Sequence, residues 1–420
     1  MAPSRRTLTP ENTDRIDIIN YQWQDSLQLF QIIGSWANLL NSPSQKYPWM
    51  DKETKPLSNQ SEKKAIVLLN FGGPEHPGEV RNFLYEILRD PNTIQLPFPR
   101  FLQNRLAGKI ATRRADETTR QYMEIGGKSP LVASTEQIAT SLRKALKQSP
   151  ALPVYIVHRY LQGWTNRVAA RIKADGITHL LALTLYPHFS FATTGSSLEQ
   201  LREELIRAGF EGRLDAVRSY PDASGYLDAL TERLKETLKV SGAEPGNTVI
   251  LCSAHGLPLS YVKKGDPYKQ EMEATLAAIR KRFPEWRFDL SFQSRVGPAE
   301  WLKPYTDEYV PLLGREGFRH IVFLPLSFTS DHIETLYEIG VTYFDLARQS
   351  GLTPHLVPAV ENHPAFITAL ADQVRLWIKG VPLPSLSALL PPDQNFRRIG
   401  VWVWGGWFLT LFAVFLFALL

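Results

Sequence analysis

Eight short apolar runs, spread between Ala65 and Val360, restrict the folds open to this sequence more than any other feature. They are AIVLLNFG (65–72), VYIVHRY (154–160), HLLALTLYP (179–187), RLDAVRSY (213–220), TVILCSAHG (248–256), FDLSFQS (288–294), HIVFLPLSF (320–328) and PHLVPAV (354–360). Most are continuous rather than alternating, as expected of parallel strands covered on both faces. Amphipathic segments such as SLEQLREELIRAG (197–209) and YLDALTERLKETLK (226–239) separate several of them. The alternation predicts an α/β fold with parallel strands joined by right-handed helical crossovers.

The strands divide four and four near Tyr220 to Tyr226, and each half places polar residues just past its strand ends. Open parallel sheets bind ligands there. This predicts a domain over 63–222 and a second over 223–380, with the last helix packing back on the first. Residues 1–62 read as a largely irregular extension with one amphipathic patch, and 381–396 as a Pro-rich linker. From Ile399 to Leu420 there are 22 residues without a charge. As a helix they span about 33 Å, enough to cross a hydrocarbon core of roughly 30 Å. Trp402, Trp404 and Trp407 suit the interface, and Arg397 and Arg398 place the globular part on the cytoplasmic face. The expectation is a single-pass C-terminal anchor over 397–420.

A net charge of +5 without a basic stripe speaks against nucleic acid and suits anionic small molecules or a membrane surface. The single cysteine, Cys252, excludes intramolecular disulfides and any cluster held by several thiolates of one chain.

Chemistry concentrates after the seventh run, where Asp331, His332, Glu334 and Glu338 fall within eight positions. Local structure accounts for part of this: Asp331 is a good N-cap and Glu334 completes a capping-box pattern. It does not account for Glu338. Glu334 and Glu338 are four apart, and two carboxylates on one helical face cost about 0.2–0.5 kcal/mol unless a cation sits between them. His255 ends the fifth run, with Gly256 and Pro258 directly after it. Its imidazole titrates near neutrality and can take a proton or bind a metal. Arg113, Arg114, Lys128, Ser129, Arg159 and Tyr160 could hold anions, arginine pairing with carboxylates in a bidentate way. TTGSS (193–197) reads as a polar loop capping a helix.

Taken in order, LNFGGPE, RR followed by IGGKSP, RY, TTGSS, SAHGLP with GDPY, QSRVGPAEWL and FTSDHIETLYEI resemble ferrochelatase, the lyase that inserts ferrous iron into a porphyrin. The likeness runs from about Ala65 to Lys379. It implies two similar Rossmann-like domains with parallel four-stranded sheets, a cleft between them, and protoporphyrin IX and Fe2+ as substrates. It implies that His255 accepts pyrrole protons or contacts the metal, with Glu334 as its paired carboxylate. The same likeness makes Asp331, His332 and Glu338 a polar path for iron or protons. Arg114, Ser129, Arg159 and Tyr160 fall on positions associated with the propionates and pocket, and Phe71, Trp301 and Phe328 on apolar positions facing the macrocycle. Some relatives carry a [2Fe–2S] cluster on four thiolates; with one Cys none is expected here, nor any other prosthetic group. LQGW follows RY where many relatives have His-Pro, and no chlorophyll-binding motif precedes Ile399. Phe71 stands where coproporphyrin-using relatives typically have Tyr, which favours protoporphyrin IX.

The expectation is therefore a membrane-tethered ferrochelatase, with room for contact with the preceding porphyrin-pathway enzyme. The imidazole and the carboxylate are expected to meet across the crevice from opposite halves, on opposite flanks of a buckled tetrapyrrole. The alternatives are a chelatase for coproporphyrin III or another tetrapyrrole, and a non-catalytic membrane-tethered porphyrin- or haem-binding protein.

Overall fold

The computed structural model describes residues 62–94, 99–146, 152–297 and 299–381. The amphipathic patch near the N-terminus, most of the Pro-rich linker and the expected anchor over 397–420 lie outside the described residues. Among the described residues no helix is long and apolar enough to cross a membrane.

All eight apolar runs contain strands: β1 (Lys64–Asn70), β2 (Val154–His158), β3 (His179–Thr184), β4 (Arg213–Val217), β5 (Thr248–His255), β6 (Arg287–Gln293), β7 (His320–Pro325) and β8 (Thr353–Leu356). They form two four-stranded sheets, ordered β2-β1-β3-β4 and β6-β5-β7-β8, with every pairing parallel. The second sheet thus repeats the strand order of the first.

Burial explains why the runs are unbroken. On β1, Ile66 and Leu68 face one apolar cluster while Ala65, Val67 and Leu69 face another. On β5, Ile250 and Cys252 face the first of these clusters and Val249 and Leu251 face a third, with Ile321 and Phe323 of β7. The cluster holding Ile66 and Leu68 also holds Ile250 and Cys252, so one core joins both sheets. Truncating such a residue, Leu68→Ala for example, costs about 2–5 kcal/mol, because the close-packed surroundings cannot collapse into the space.

Helices fill in around the sheets. In the first half these are α1 (Val80–Leu88), α2 (Arg100–Glu124), α3 (Leu131–Ala145), α4 (Trp164–Ala174) and α5 (Ser196–Arg207). In the second they are α6 (Ser224–Ser241), α7 (Leu259–Lys263), α8 (Tyr268–Arg282), α9 (Thr306–Arg315), α10 (Phe344–Gln349) and α11 (Pro364–Ile378). The third strand of each half leads to a stretch of π-helix, Phe191–Gly195 after β3 and Glu334–Tyr343 after β7. TTGSS is accordingly not a side-chain cap. Ser190 caps the first π-turn, accepting from the amide of Ala192, and Thr194, Ser196 and Ser197 are buried.

Hydrogen bonds stitch the halves together. Ser134 donates to Ser330 Oγ at 2.9 Å, Thr329 to the carbonyl of Leu185 at 2.7 Å, and Ser190 to Asp266 at 2.9 Å. The final helix, α11, reaches back to the first half: Trp377 Nε1 donates to Asp215 of β4 at 2.7 Å and Arg375 to the carbonyl of Ala145 at the end of α3 at 2.8 Å.

Candidate active site

His255 is the last residue of β5 and the first on that strand not buried. Its backbone is fixed from both sides. The amide donates to Ser327 Oγ at 2.9 Å, and Tyr268 donates to the carbonyl at 3.1 Å while lying 2.6 Å from the same Ser327 oxygen. Position 256 has to be glycine, because a Cβ there lies 2.8 Å from the carbonyl oxygen of Gln293 and 3.1 Å from the Trp301 ring. The imidazole Nδ1 sits 2.8 Å from Glu334 Oε2, with the two side chains 40% and 25% exposed. Nε2 is thereby left as the nitrogen free to act.

This contact corrects the expected arrangement. β5 and β7 are adjacent strands, so His255 and Glu334 both come from the second half and touch directly. The 2.8 Å contact leaves no room for a tetrapyrrole between them, and they form one hydrogen-bonded unit. Burial opposes charge on both groups, but their mutual attraction prevails. Glu334 is held down at about 2 and His255 is raised above its ordinary value.

Glu334 opens a ten-residue π-helix, not an α-helix with a capping box. The Glu334 side chain turns to His255 instead of back to the Asp331 amide, which faces Glu361 at 3.4 Å. Asp331 accepts from Thr335 Oγ1 at 2.9 Å and from the Ala359 amide at 3.3 Å, so it ties the turn to the segment after β8. His332 is buried, its Nδ1 has no hydrogen-bond partner, and its ring meets Phe328 edge-on at 4.3 Å. Burial pushes its pKa down, keeping it neutral.

Glu338 accepts from the Ser294 amide at 2.9 Å, from Tyr343 at 2.9 Å, from Gln293 Nε2 at 3.1 Å and from the Ser294 hydroxyl. Four donors suit a carboxylate, although burial and the neighbouring Glu334 push its pKa up. Ser294 attains this geometry in the left-handed region, φ +63°, which is uncommon outside glycine.

The first-half candidates are arranged differently. Arg159 was expected to be available to a substrate anion. Its guanidinium instead donates to Asp90 at 2.6 Å and to Ser196 Oγ at 3.0 Å, and it stacks on the Tyr160 ring at 4.9 Å. Tyr160 is buried, donates to Asp90 at 2.8 Å and leaves its ring 4.5 Å from Phe71. The aspartate draws both residues inward because a buried carboxylate needs donors. Ser129 is buried too, packed so closely against Gly73 that a Cβ there meets its Oγ at 2.4 Å. Arg113, Arg114 and Lys128 are exposed. Phe71, Trp301 and Phe328 are half-buried, and the indole Nε1 of Trp301 has no partner. Tyr122, at the end of α2, lies near enough to feel the charge of Glu334.

Gln293, Ser294, Ser327, Tyr268, Tyr343 and Asp90 are further contributors that sequence reasoning did not single out. QSRVGPAEWL and GDPY contain or adjoin several of them, but hydroxyls and amides carry no periodic signal. Among the described residues, no three His, Cys, Asp or Glu side chains converge as a metal cage. His255 with Glu334 offers two donors to a cation, a set suited to passing it on.

A family model described as ferrochelatase matches residues 63–376. The curated ferrochelatase of Synechococcus sp. strain RCC307 is 40% identical over 352 residues, covering 81% of this chain and 89% of that protein. That of Cyanothece sp. strain PCC 7425 is 41% identical over 349 residues with the same coverage. Among solved structures, SirB from Bacillus subtilis with Fe3+ aligns over 75% of this chain and 95% of its own at a TM-score of 0.45 and 14% identity.

Proposed function

The chain belongs to the ferrochelatase family, and on that premise we propose that it inserts Fe2+ into protoporphyrin IX to make protohaem. The observation that carries this reading is the 2.8 Å contact between His255 Nδ1, at the carboxyl end of β5, and Glu334, which opens the π-helix after β7.

Insertion exchanges two pyrrole N–H protons for one Fe2+, so the site must remove protons from nitrogens whose lone pairs point into a flat ring. Bending the macrocycle exposes them, at a strain of about 1–5 kcal/mol supplied by contacts away from the reacting atoms. His255 Nε2 is the base: it takes one pyrrole proton, passes it to solvent through its exposed edge, and then takes the second. Glu334 fixes the ring through Nδ1 and stabilises the imidazolium as it forms, an arrangement worth about 10²–10⁴-fold in rate. Nitrogen and oxygen donors bind Fe2+ without the permanence of thiolates. Phe71, Trp301 and Phe328 supply apolar surface to the macrocycle. The exposed Arg114 is the propionate partner, whereas Arg159 supports the wall from behind. The uncharged run 399–420 tethers the enzyme to the cytoplasmic face of a membrane, into which its apolar substrate partitions.

The test is purified protein with Fe2+ and protoporphyrin under anaerobic conditions. Haem formation is expected, falling about 10²–10⁴-fold in His255→Ala. An unchanged rate in that variant removes His255 as the base. Preference for coproporphyrin in a substrate panel replaces the substrate assignment, and porphyrin binding without turnover replaces the enzymatic one.

A further inference from the structure

Gln293 ends β6, and in the sheet register it stands beside His255. It is 1% exposed, so it touches no substrate. Its side chain is nonetheless fully used. The carbonyl oxygen accepts from Ser253 Oγ, and the amide nitrogen donates to the Glu338 carboxylate at 3.1 Å and to the backbone carbonyl of Glu334 at 3.3 Å.

The last of these bonds bears on helix type. In an α-helix the carbonyl of Glu334 takes the amide of Glu338, four residues on. Here the helix closes five residues back, as in the bond from the Phe344 amide to the Ile339 carbonyl. Gln293 supplies a donor to the Glu334 carbonyl from outside the helix and grips the side chain of the residue that would otherwise have supplied it. We propose that Gln293 is a positioning residue that holds the π form of the helix carrying Glu334, and so sets the His255–Glu334 contact.

The first half provides an internal comparison. At the corresponding strand end, beside Asn70 in the β1–β2 register, stands His158, buried and with neither ring nitrogen hydrogen-bonded. The π-helical stretch following β3 there lasts five residues, against ten in the second half. That short turn is tethered instead by Asp266, which accepts from the Phe191 amide at 2.8 Å. The longer of the two π-helices is the one that a neighbouring side chain supplies with donors.

The role rests on the ferrochelatase reading for its kinetic arm and on the fold alone for its structural arm. In Gln293→Met, which keeps the volume and removes the hydrogen bonds, kcat is expected to fall about 10–100-fold, the effect of a small misplacement of a reacting group. The KM for porphyrin should stay within about two-fold, because Gln293 makes no substrate contact. Amide hydrogen exchange across 334–343 should accelerate in the same variant, with exchange in β5 unchanged. Gln293→Glu should be as impaired, since two carboxylates then face one another. Combining it with Glu338→Gln restores a donor–acceptor pair with reversed polarity and should recover part of kcat relative to Gln293→Glu alone. This pair also serves if the Met variant does not fold. A wild-type kcat, a change confined to KM, unaltered exchange over 334–343, or no recovery in the double variant each overturns the assignment. A wild-type protein inactive with every tetrapyrrole defeats the proposed function instead, and the exchange measurement still decides the role of Gln293.

Discussion

Replacing Asp90 with alanine separates two roles for Arg159, brace or substrate clamp. One carboxylate oxygen of Asp90 accepts from Arg159 at 2.6 Å, Tyr160 at 2.8 Å and Ser196 at 2.9 Å. The Arg159 and Asp90 side chains are 12% and 3% exposed, so water cannot replace the lost partner. Removing one member of a buried ion pair costs about 3–5 kcal/mol, chiefly because the other charge remains unpaired. The guanidinium keeps Ser196 Oγ at 3.0 Å and its place over the Tyr160 ring. Those contacts exist in the parent as well and offset little of the difference. With a urea dependence of about 3 kcal/mol per M, the unfolding midpoint should fall by about 1–1.7 M. The assay is equilibrium unfolding followed by tryptophan fluorescence and far-UV circular dichroism. Asp90→Ala combined with Arg159→Met removes the stranded charge and should be more stable than Asp90→Ala alone. A midpoint within about 0.3 M of the parent, together with an altered KM for porphyrin, refutes the bracing role and returns Arg159 to the substrate.

Glu334→Gln tests the dyad through pH. His255 acts as a base only when neutral, and its pKa is raised because Glu334 outweighs burial, so activity should fall as pH drops through a value above the usual 6.5. Without the carboxylate, burial dominates and the acid limb of kcat should move to lower pH; an unmoved limb contradicts the pairing. Gly73→Ala forces Ser129 away from its seat, and overpacking of this kind costs about 1–3 kcal/mol. Ser129→Gly should relieve the loss, as read by thermal denaturation. Trp377→Phe removes one donor from the buried Asp215 and should cost about 1–3 kcal/mol in urea unfolding, with kcat unchanged.

The sheets were legible because burial on both faces writes itself into strands such as Ile66–Leu69 and Val249–Cys252 as unbroken apolar runs. The resemblance supplied His255 and Glu334 as partners, and their residue types supplied the chemistry. Sequence did not convey that His255 ends one strand while Glu334 opens the π-helix that follows its neighbour in the same sheet, because strand order is a long-range property. Nor did it convey the π-helix. A carboxylate pair four apart looks the same in either helix type, and what decides between them is Gln293, more than forty positions upstream. The partner of Arg159 was hidden for a similar reason: Asp90 lies far away in the chain, and nothing near Arg159 announces it.

The apolar core that passes without a break from Ile66 to Ile250, together with the bonds that Ser190 and Thr329 make between the halves, leaves the described residues no hinge between the two sheets. An enzyme built this way cannot clasp its substrate as a jaw does. A flat guest must conform to a stiff mould, and any give needed for exit falls to single side chains and short loops. Relaxation experiments should therefore find slow motion in the loops beside His255 and none between the two sheets.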